Sequence, residues 1–284
     1  MSAGAYGKGE TRSADGTVIG YRIYGDGPGL ILLHGGMLAA QNFANLAGLM
    51  AAGHTVYVPD RRGRGLSGGH GDDFDVTREV EDVQALVAAT GASKIFGLSS
   101  GALVTLRTAL TTPALDRIAL YEPPLLADDS ELRGWQPRYE REVAAGRLAA
   151  ALVTVLKGLR AEPMFNRIPR FLLVPLLTIG MRLQRPPSGD DVPIRDLIPT
   201  ERYDLRIVGE MAGTAEDYRA LRAEVLLLGG SKSPAYLTTA VERLATVLPH
   251  ARRLTLTGLG HSGPENDGDP AAVARALHGF FAER

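Results

Sequence analysis

The sequence has no cysteine. Disulfides, thiolate nucleophiles and cysteine-ligated metals are therefore excluded. Aromatic residues are scarce at 6%, with a single tryptophan, Trp135. Neither sign of charge prevails: 31 Lys and Arg meet 32 Asp and Glu, a formal net charge of −1. That balance calls for no nucleic-acid or anionic-membrane partner. Long apolar runs are missing too. The longest, Phe171 to Met181, is interrupted by Pro175 and Gly180 and falls far short of the roughly 20 residues that cross a bilayer. Met1 to Asp15 is small and polar, without the apolar stretch of a signal peptide. The expectation is a cytoplasmic protein with a small-molecule substrate and neither a nucleic-acid nor a membrane partner. Oligomeric state is not written in the sequence, and a homodimer is left open.

Glycine is plentiful, 34 residues, and clusters where short apolar runs end, as tight turns at strand ends require. Thr17 to Tyr24 alternates like an edge strand. Leu30 to Leu33, Thr55 to Val58, Lys94 to Leu98 and Arg117 to Tyr121 are short, largely apolar runs suited to strands buried on both faces. Helical spacing fills the gaps, at 39–52, 76–90 and 101–110. Such alternation predicts a parallel sheet with helices on both faces. From Pro123 to about Arg222 no strand is evident, and helices are expected at 131–158, 167–182 and 202–211. Alternation resumes with strands at 224–228 and 252–256 and helices at 235–248 and 270–281. The pattern is one sheet domain interrupted by a helical insertion.

Gly97-Leu98-Ser99-Ser100-Gly101 lies between a strand and a helix. A serine with glycine two before and two after, at that junction, has the form of a nucleophile elbow. The strained turn lifts Oγ above the sheet, and only small neighbours tolerate the close approach. Ser100 is the other hydroxyl, but the register of glycines points to Ser99. His261 follows the strand 252–256 and the glycine-flanked loop Gly258-Leu259-Gly260. It stands late in the chain, where this architecture places its general base. His250 precedes its strand, His278 lies within the last helix, and His34, His54 and His70 precede Ser99.

These pieces, with Leu33-His34-Gly35-Gly36, Asp60-Arg61-Arg62-Gly63-Arg64-Gly65-Leu66-Ser67, Tyr121-Glu122-Pro123-Pro124 and Gly258-Leu259-Gly260-His261-Ser262, make the chain resemble the α/β-hydrolase superfamily, in its serine-nucleophile branch with a helical cap. The resemblance implies an α/β-hydrolase core from 1–122 and 223–284, a mostly parallel sheet flanked by helices, with the insertion 123–222 as cap. It implies an oxyanion hole from the backbone N–H of Ser100 and that of Gly36 or Met37. Each such donor typically lowers the barrier by about 3 kcal/mol. Asp60 to Ser67 is expected to order its own loop rather than to take part in chemistry.

One departure matters. Most of the family carries its acid after the first strand beyond the cap, and there this chain has Gly229-Gly230-Ser231-Lys232-Ser233. A serine cannot stabilise the imidazolium of His261, and loss of that carboxylate typically costs about four orders of magnitude in rate. Glu122, directly after the strand 117–121, is placed like the acid of certain haloalkane dehalogenases and of zearalenone lactonases, so the triad is expected to be Ser99, His261 and Glu122. Asp128, Asp129, Glu265 and Asp267 are read as solvated loop charges, although they remain other candidates for the acid. A serine nucleophile suits acyl transfer, and the expected reaction is hydrolysis of a medium-sized, largely apolar carboxylic ester or lactone. The empty late position motivates the alternative, a non-hydrolytic cyclase-type enzyme or binding module on the same fold. Met37, Trp135, Met164, Phe165 and Phe171 are candidates for pocket walls. Phe171 to Met181, apolar on nearly every side, is expected to be a buried cap helix. No metal or cofactor is implied.

Overall fold

The computed structural model describes residues 6–160, 163–184 and 187–282. Eight strands form a single sheet: β1 (Gly7–Arg12), β2 (Val18–Tyr24), β3 (Gly29–Leu33), β4 (Thr55–Pro59), β5 (Lys94–Leu98), β6 (Arg117–Tyr121), β7 (Glu224–Gly230) and β8 (Arg252–Leu256). Their spatial order is β1-β2-β4-β3-β5-β6-β7-β8. The first two strands pair antiparallel, as do β2 and β4, and every later pairing is parallel. β1 was not expected. Its residues, Gly-Lys-Gly-Glu-Thr-Arg, have little apolar content and are mostly exposed. It is an edge strand held by pairing to β2 rather than by burial.

The apolar runs of the central strands serve two cores, because successive side chains leave opposite faces. On β3, Ile31 and Leu33 join one cluster while Leu30 and Leu32 join the other. On β6 the split is Ile118 and Leu120 against Ala119 and Tyr121. One face is covered by α1 (Ala44–Met50) together with the last helix of the chain. The opposite face is covered by α2 (Val76–Thr90) and α3 (Ser100–Thr111), and by elements that follow the insertion. The start of α2 is set by Asp75, whose side chain accepts a hydrogen bond from Arg78 N–H at 3.1 Å, and its end by Gly91 in the left-handed region.

Between β6 and β7 the chain forms α4 (Ser130–Arg133), α5 (Gln136–Ala144), α6 (Leu148–Leu159), α7 (Pro163–Arg167), α8 (Arg170–Leu183), α9 (Ile194–Leu197) and α10 (Glu201–Met211). Then come α11 (Ala235–Val247) and α12 (Pro270–Ala282). The single helix expected over 131–158 is three, broken at Gly134-Trp135 and at Ala145 to Arg147. A correction concerns α8. Leu173 is buried, but Phe171, Leu172, Leu176, Ile179 and Leu183 are exposed. A helix apolar on all sides needs cover on all sides, and the described residues cover α8 on one side only. Among the described residues no helix is long and apolar enough to cross a membrane.

Candidate active site

The parallel strands end at a common edge, and the loops that leave it carry the residues singled out in the sequence. Ser99 joins β5 to α3 with φ 55° and ψ −123°. Glycine neighbours are needed for contact reasons. A Cβ on Gly97 would lie 2.6 Å from Ala102 Cα and from the Gly101 carbonyl oxygen, and one on Gly101 would lie 2.6 Å from the Leu33 carbonyl oxygen. Among the described residues, four non-glycine residues have positive φ: Met37, Ser99, Glu122 and Arg160. Three of them stand at this edge. Backbone strain of this kind costs about 1–3 kcal/mol per residue and gathers at functional sites.

Glu122 leaves the end of β6 and is buried. Its Oε1 accepts the Gly230 N–H at 2.6 Å, and its Oε2 accepts a hydrogen bond from His261 Nδ1 at 2.7 Å. Both carboxylate oxygens are thus engaged, one by the β7 backbone and one by the imidazole. Tyr121, next in the chain, donates its hydroxyl to the Gly260 carbonyl at 2.7 Å and so ties the histidine loop to β6. With Nδ1 directed at Glu122, Nε2 is the ring nitrogen left for chemistry. At the position where a later acid would stand, the Oγ of Ser233 is buried without a hydrogen-bond partner.

His34-Gly35-Gly36-Met37 leaves the end of β3. His34 is fully buried. Its Nδ1–H donates to the Gly35 carbonyl at 3.0 Å and its Nε2 accepts the Arg61 N–H at 3.2 Å. Burial first, then Arg64 and Arg61, holds its pKa well below the ordinary histidine value. It is a neutral bracket for the turn. A Cβ on Gly35 would sit 3.1 Å from Ser99 Cβ, so the turn and the elbow touch.

Ser99, Ser100, Gly36, Met37 and His261 line one cavity of about 260 Å3. Its remaining wall is mostly apolar: Leu126, Leu132, Leu152, Leu156, Leu159, Leu205, Val208 and Trp135, whose ring lies against Gly158. Two pocket candidates do not fit. Phe165, on α7, is absent from this lining and uses its carbonyl to accept from Lys157. Phe171 points outward on α8, because that turn of the helix has nothing packed over it. The side chain of Met164 lies outside the described residues. Glu265, read as a solvated charge, is part of the cavity lining. Among the described residues no group of three or more His, Asp or Glu side chains is placed to hold a metal ion.

Sequence reasoning missed a charged network beside the cavity. Arg61 clasps Glu79 through Nε at 3.0 Å and Nη2 at 2.9 Å, and its Nη1 reaches Asp204 at 2.7 Å and Ser100 Oγ at 3.0 Å. Ser100 Oγ donates to Asp204 Oδ1 at 2.7 Å, and Arg64 pairs with Asp204 Oδ2. Burial pushes the Asp204 carboxyl up, but Arg64, Arg61 and Ser100 outweigh it and hold it at about 2. Glu201 has the opposite balance. Burial and the neighbouring Asp204 raise it well above the ordinary glutamate value. Its Oε2 has no partner and packs against Gly36. The detectable signal was Glu201 and Asp204 at i, i+3 on the same helical face as Leu205 and Val208, where carboxylates cannot stay unpaired.

A model of the alpha/beta hydrolase family matches residues 30–276. The pimeloyl-[acyl-carrier protein] methyl ester esterase of Xanthomonas campestris pv. campestris is 29% identical over 276 residues, covering 92% of this chain and 97% of that protein. An alpha/beta hydrolase from Sphaerobacter thermophilus superposes with a TM-score of 0.76 at 29% identity, over 96% of this chain and 100% of that one. The enol-lactonase of Burkholderia xenovorans superposes with a TM-score of 0.69 at 19% identity, over 96% and 100% of the two chains.

Proposed function

The chain belongs to the alpha/beta hydrolase family, and from that premise we propose that it is a serine hydrolase of a medium-sized, largely apolar carboxylic ester or lactone. The observation that carries the reading is the 2.7 Å bond from His261 Nδ1 to Glu122 at the cavity that Ser99 also lines. His261 Nε2 takes the proton of Ser99 Oγ as the oxygen attacks the substrate carbonyl carbon. The imidazolium so formed is stabilised by the Glu122 carboxylate. Backbone N–H groups of Ser100, at the start of α3, and of Gly36 receive the oxyanion. His261 then returns the proton to the leaving alkoxide. In the second half-reaction it activates water, and the acyl-enzyme on Ser99 is hydrolysed.

The apolar wall supports an apolar acyl group or ring, and the helices between β6 and β7 serve as the cap, residues 123–222, over a core of 1–122 and 223–284. The named activity of the Xanthomonas relative supports ester cleavage as the reaction class. The serine at 233 motivates the non-hydrolytic alternative; the hydrogen bond between Glu122 and His261 supports the hydrolytic reading over it. The test is a panel of short p-nitrophenyl esters and simple lactones with the native chain and Ser99→Ala. Hydrolysis by the native chain, reduced by about four orders of magnitude or more in the variant, is expected. Equal rates for the two proteins sink the reading.

A further inference from the structure

The near-zero net charge hides a segregation. Residues 143–189 contain seven Arg and Lys (Arg147, Lys157, Arg160, Arg167, Arg170, Arg182 and Arg185) and one acid, Glu162. That stretch is strongly basic, and the rest of the chain carries the compensating negative charge. The basic stretch contains α8, whose exposed apolar face was noted above. Phe171, Leu172, Leu176, Ile179 and Leu183 are between 52% and 77% exposed. At 3.6 residues per turn they share one face of roughly 140° along a helix about 20 Å long. Isolated exposed leucines need no explanation, but a continuous stripe marks an interaction surface.

Beside the stripe, α8, the start of α6 and α9 border a cleft of about 620 Å3. Arg147, Arg182 and Arg195 line it, and among the described residues no acidic one does. Arg182 stands on the edge of α8 between cleft and stripe, and Arg167 lies just before the stripe begins. Apolar and cationic groups are therefore interleaved on one surface.

We infer that this surface docks on an anionic phospholipid bilayer, with the α8 stripe entering the acyl boundary and the arginine cleft facing headgroup phosphates. The chemistry decides among occupants. A second copy seated across a two-fold axis would bring the same arginines face to face, which like-charge repulsion opposes. An acidic protein would satisfy the arginines but offer no apolar counterpart to a stripe of five projecting side chains. A bilayer supplies both, and an amphipathic helix lying in the interface has this composition. α8 packs on α6, and Leu152, Leu156 and Leu159 of α6 line the catalytic cavity. Docking would hold the cavity one helix from the lipid. Such docking would depart from the expectation of no membrane partner drawn from the net charge.

The experiment is co-sedimentation of the full chain with vesicles of phosphatidylcholine alone, and with vesicles in which about a third of the lipid is phosphatidylglycerol. Binding to the anionic vesicles, weak binding to the neutral ones, and release by salt are expected. Phe171→Ser combined with Leu176→Ser should lower the partition coefficient at least about ten-fold, and Arg182→Glu by a comparable factor. These side chains are exposed, so an unchanged thermal midpoint shows that the variants are folded. Failure of the native chain to sediment with anionic vesicles overturns the inference, as does native-like binding by both variants. A native dimer in solution that the double serine variant converts to monomer assigns the face to a second copy and overturns it. So does binding to polyglutamate without binding to vesicles.

Discussion

Glu122 and His261 are joined by a 2.7 Å hydrogen bond across 139 positions of sequence. Two features make the bond possible. Glu122 adopts a positive φ of 48° at the end of β6, which turns its side chain towards β7 and β8. Tyr121 pins the carbonyl of Gly260, so the histidine arrives at a defined distance. The Glu122 carboxylate therefore reaches His261 from one strand earlier than the position that holds Ser233.

Glu122→Gln should keep the shape of the side chain and remove its charge. The imidazolium then loses its counter-charge and the tautomer of His261 is no longer enforced. A fall in kcat of about four orders of magnitude with little change in KM is expected in steady-state assays of the best ester substrate. An unchanged kcat would remove Glu122 from the catalytic group.

Asp204 is bonded to Ser100, Arg61 and Arg64, all buried. Asp204→Asn takes the ion-pair partner from buried Arg64 and leaves Arg61 with Glu79 alone. Breaking such an arrangement costs about 3–5 kcal/mol, measurable as a lower midpoint in urea. The sign with pH follows from its position at about 2. A carboxylate held below its ordinary value stabilises the fold above about pH 4 and loses that contribution as the pH falls towards 2. The variant should therefore lack part of the acid-induced loss of stability that the native chain shows in that window.

Glu201 gives the reverse slope. Its carboxyl is raised by burial and by Asp204, so the folded state resists its ionisation. The native chain and Glu201→Gln should have similar thermal midpoints below about pH 4.5, where the acid is neutral in both folded and unfolded chains. As the pH rises, the unfolded chain ionises first and the native fold loses stability. The glutamine variant does not, and it should melt higher than the native chain at alkaline pH. A difference that does not vary with pH would show that Glu201 is not the titrating group.

The legible parts of this molecule were those governed by local sterics. The elbow at Ser99 requires small residues at 97 and 101 because backbone atoms of Ala102 and Leu33 crowd them, and that requirement is written as a motif. The central strands were legible because burial on both faces demands unbroken apolar runs. Other features depend on neighbours distant in sequence. β1 exists by pairing with β2, and its composition carries no trace of that. The outward turn of Phe171 and its neighbours follows from which sides of α8 find a partner. Arg61 and Arg64 looked like loop-ordering residues until α10 brought Asp204 and Glu201 against them. A motif on one segment cannot reveal a charge delivered by another segment more than a hundred residues later.

Trp135 offers a direct reading of how the cavity selects its substrate. Its side chain lines the cavity with Leu132, Leu156 and Leu159, and Gly158 gives the ring its seat, because a Cβ there would clash with the indole. Trp135→Ala would remove the largest side chain from that wall. Longer acyl chains then gain apolar surface to cover, while short ones lose contact and orientation. The expected outcome is a shift of preference towards longer acyl chains along a series of p-nitrophenyl esters. The ratio of kcat/KM for octanoate over butyrate should rise by roughly ten-fold or more, since each methylene placed in an apolar pocket is worth about 1 kcal/mol or more. A uniform fall across the series would place the acyl group elsewhere in the cavity. Gly158→Ala tests the same wall by crowding the indole rather than removing it, and it should change the chain-length preference without the gain for long esters that Trp135→Ala gives.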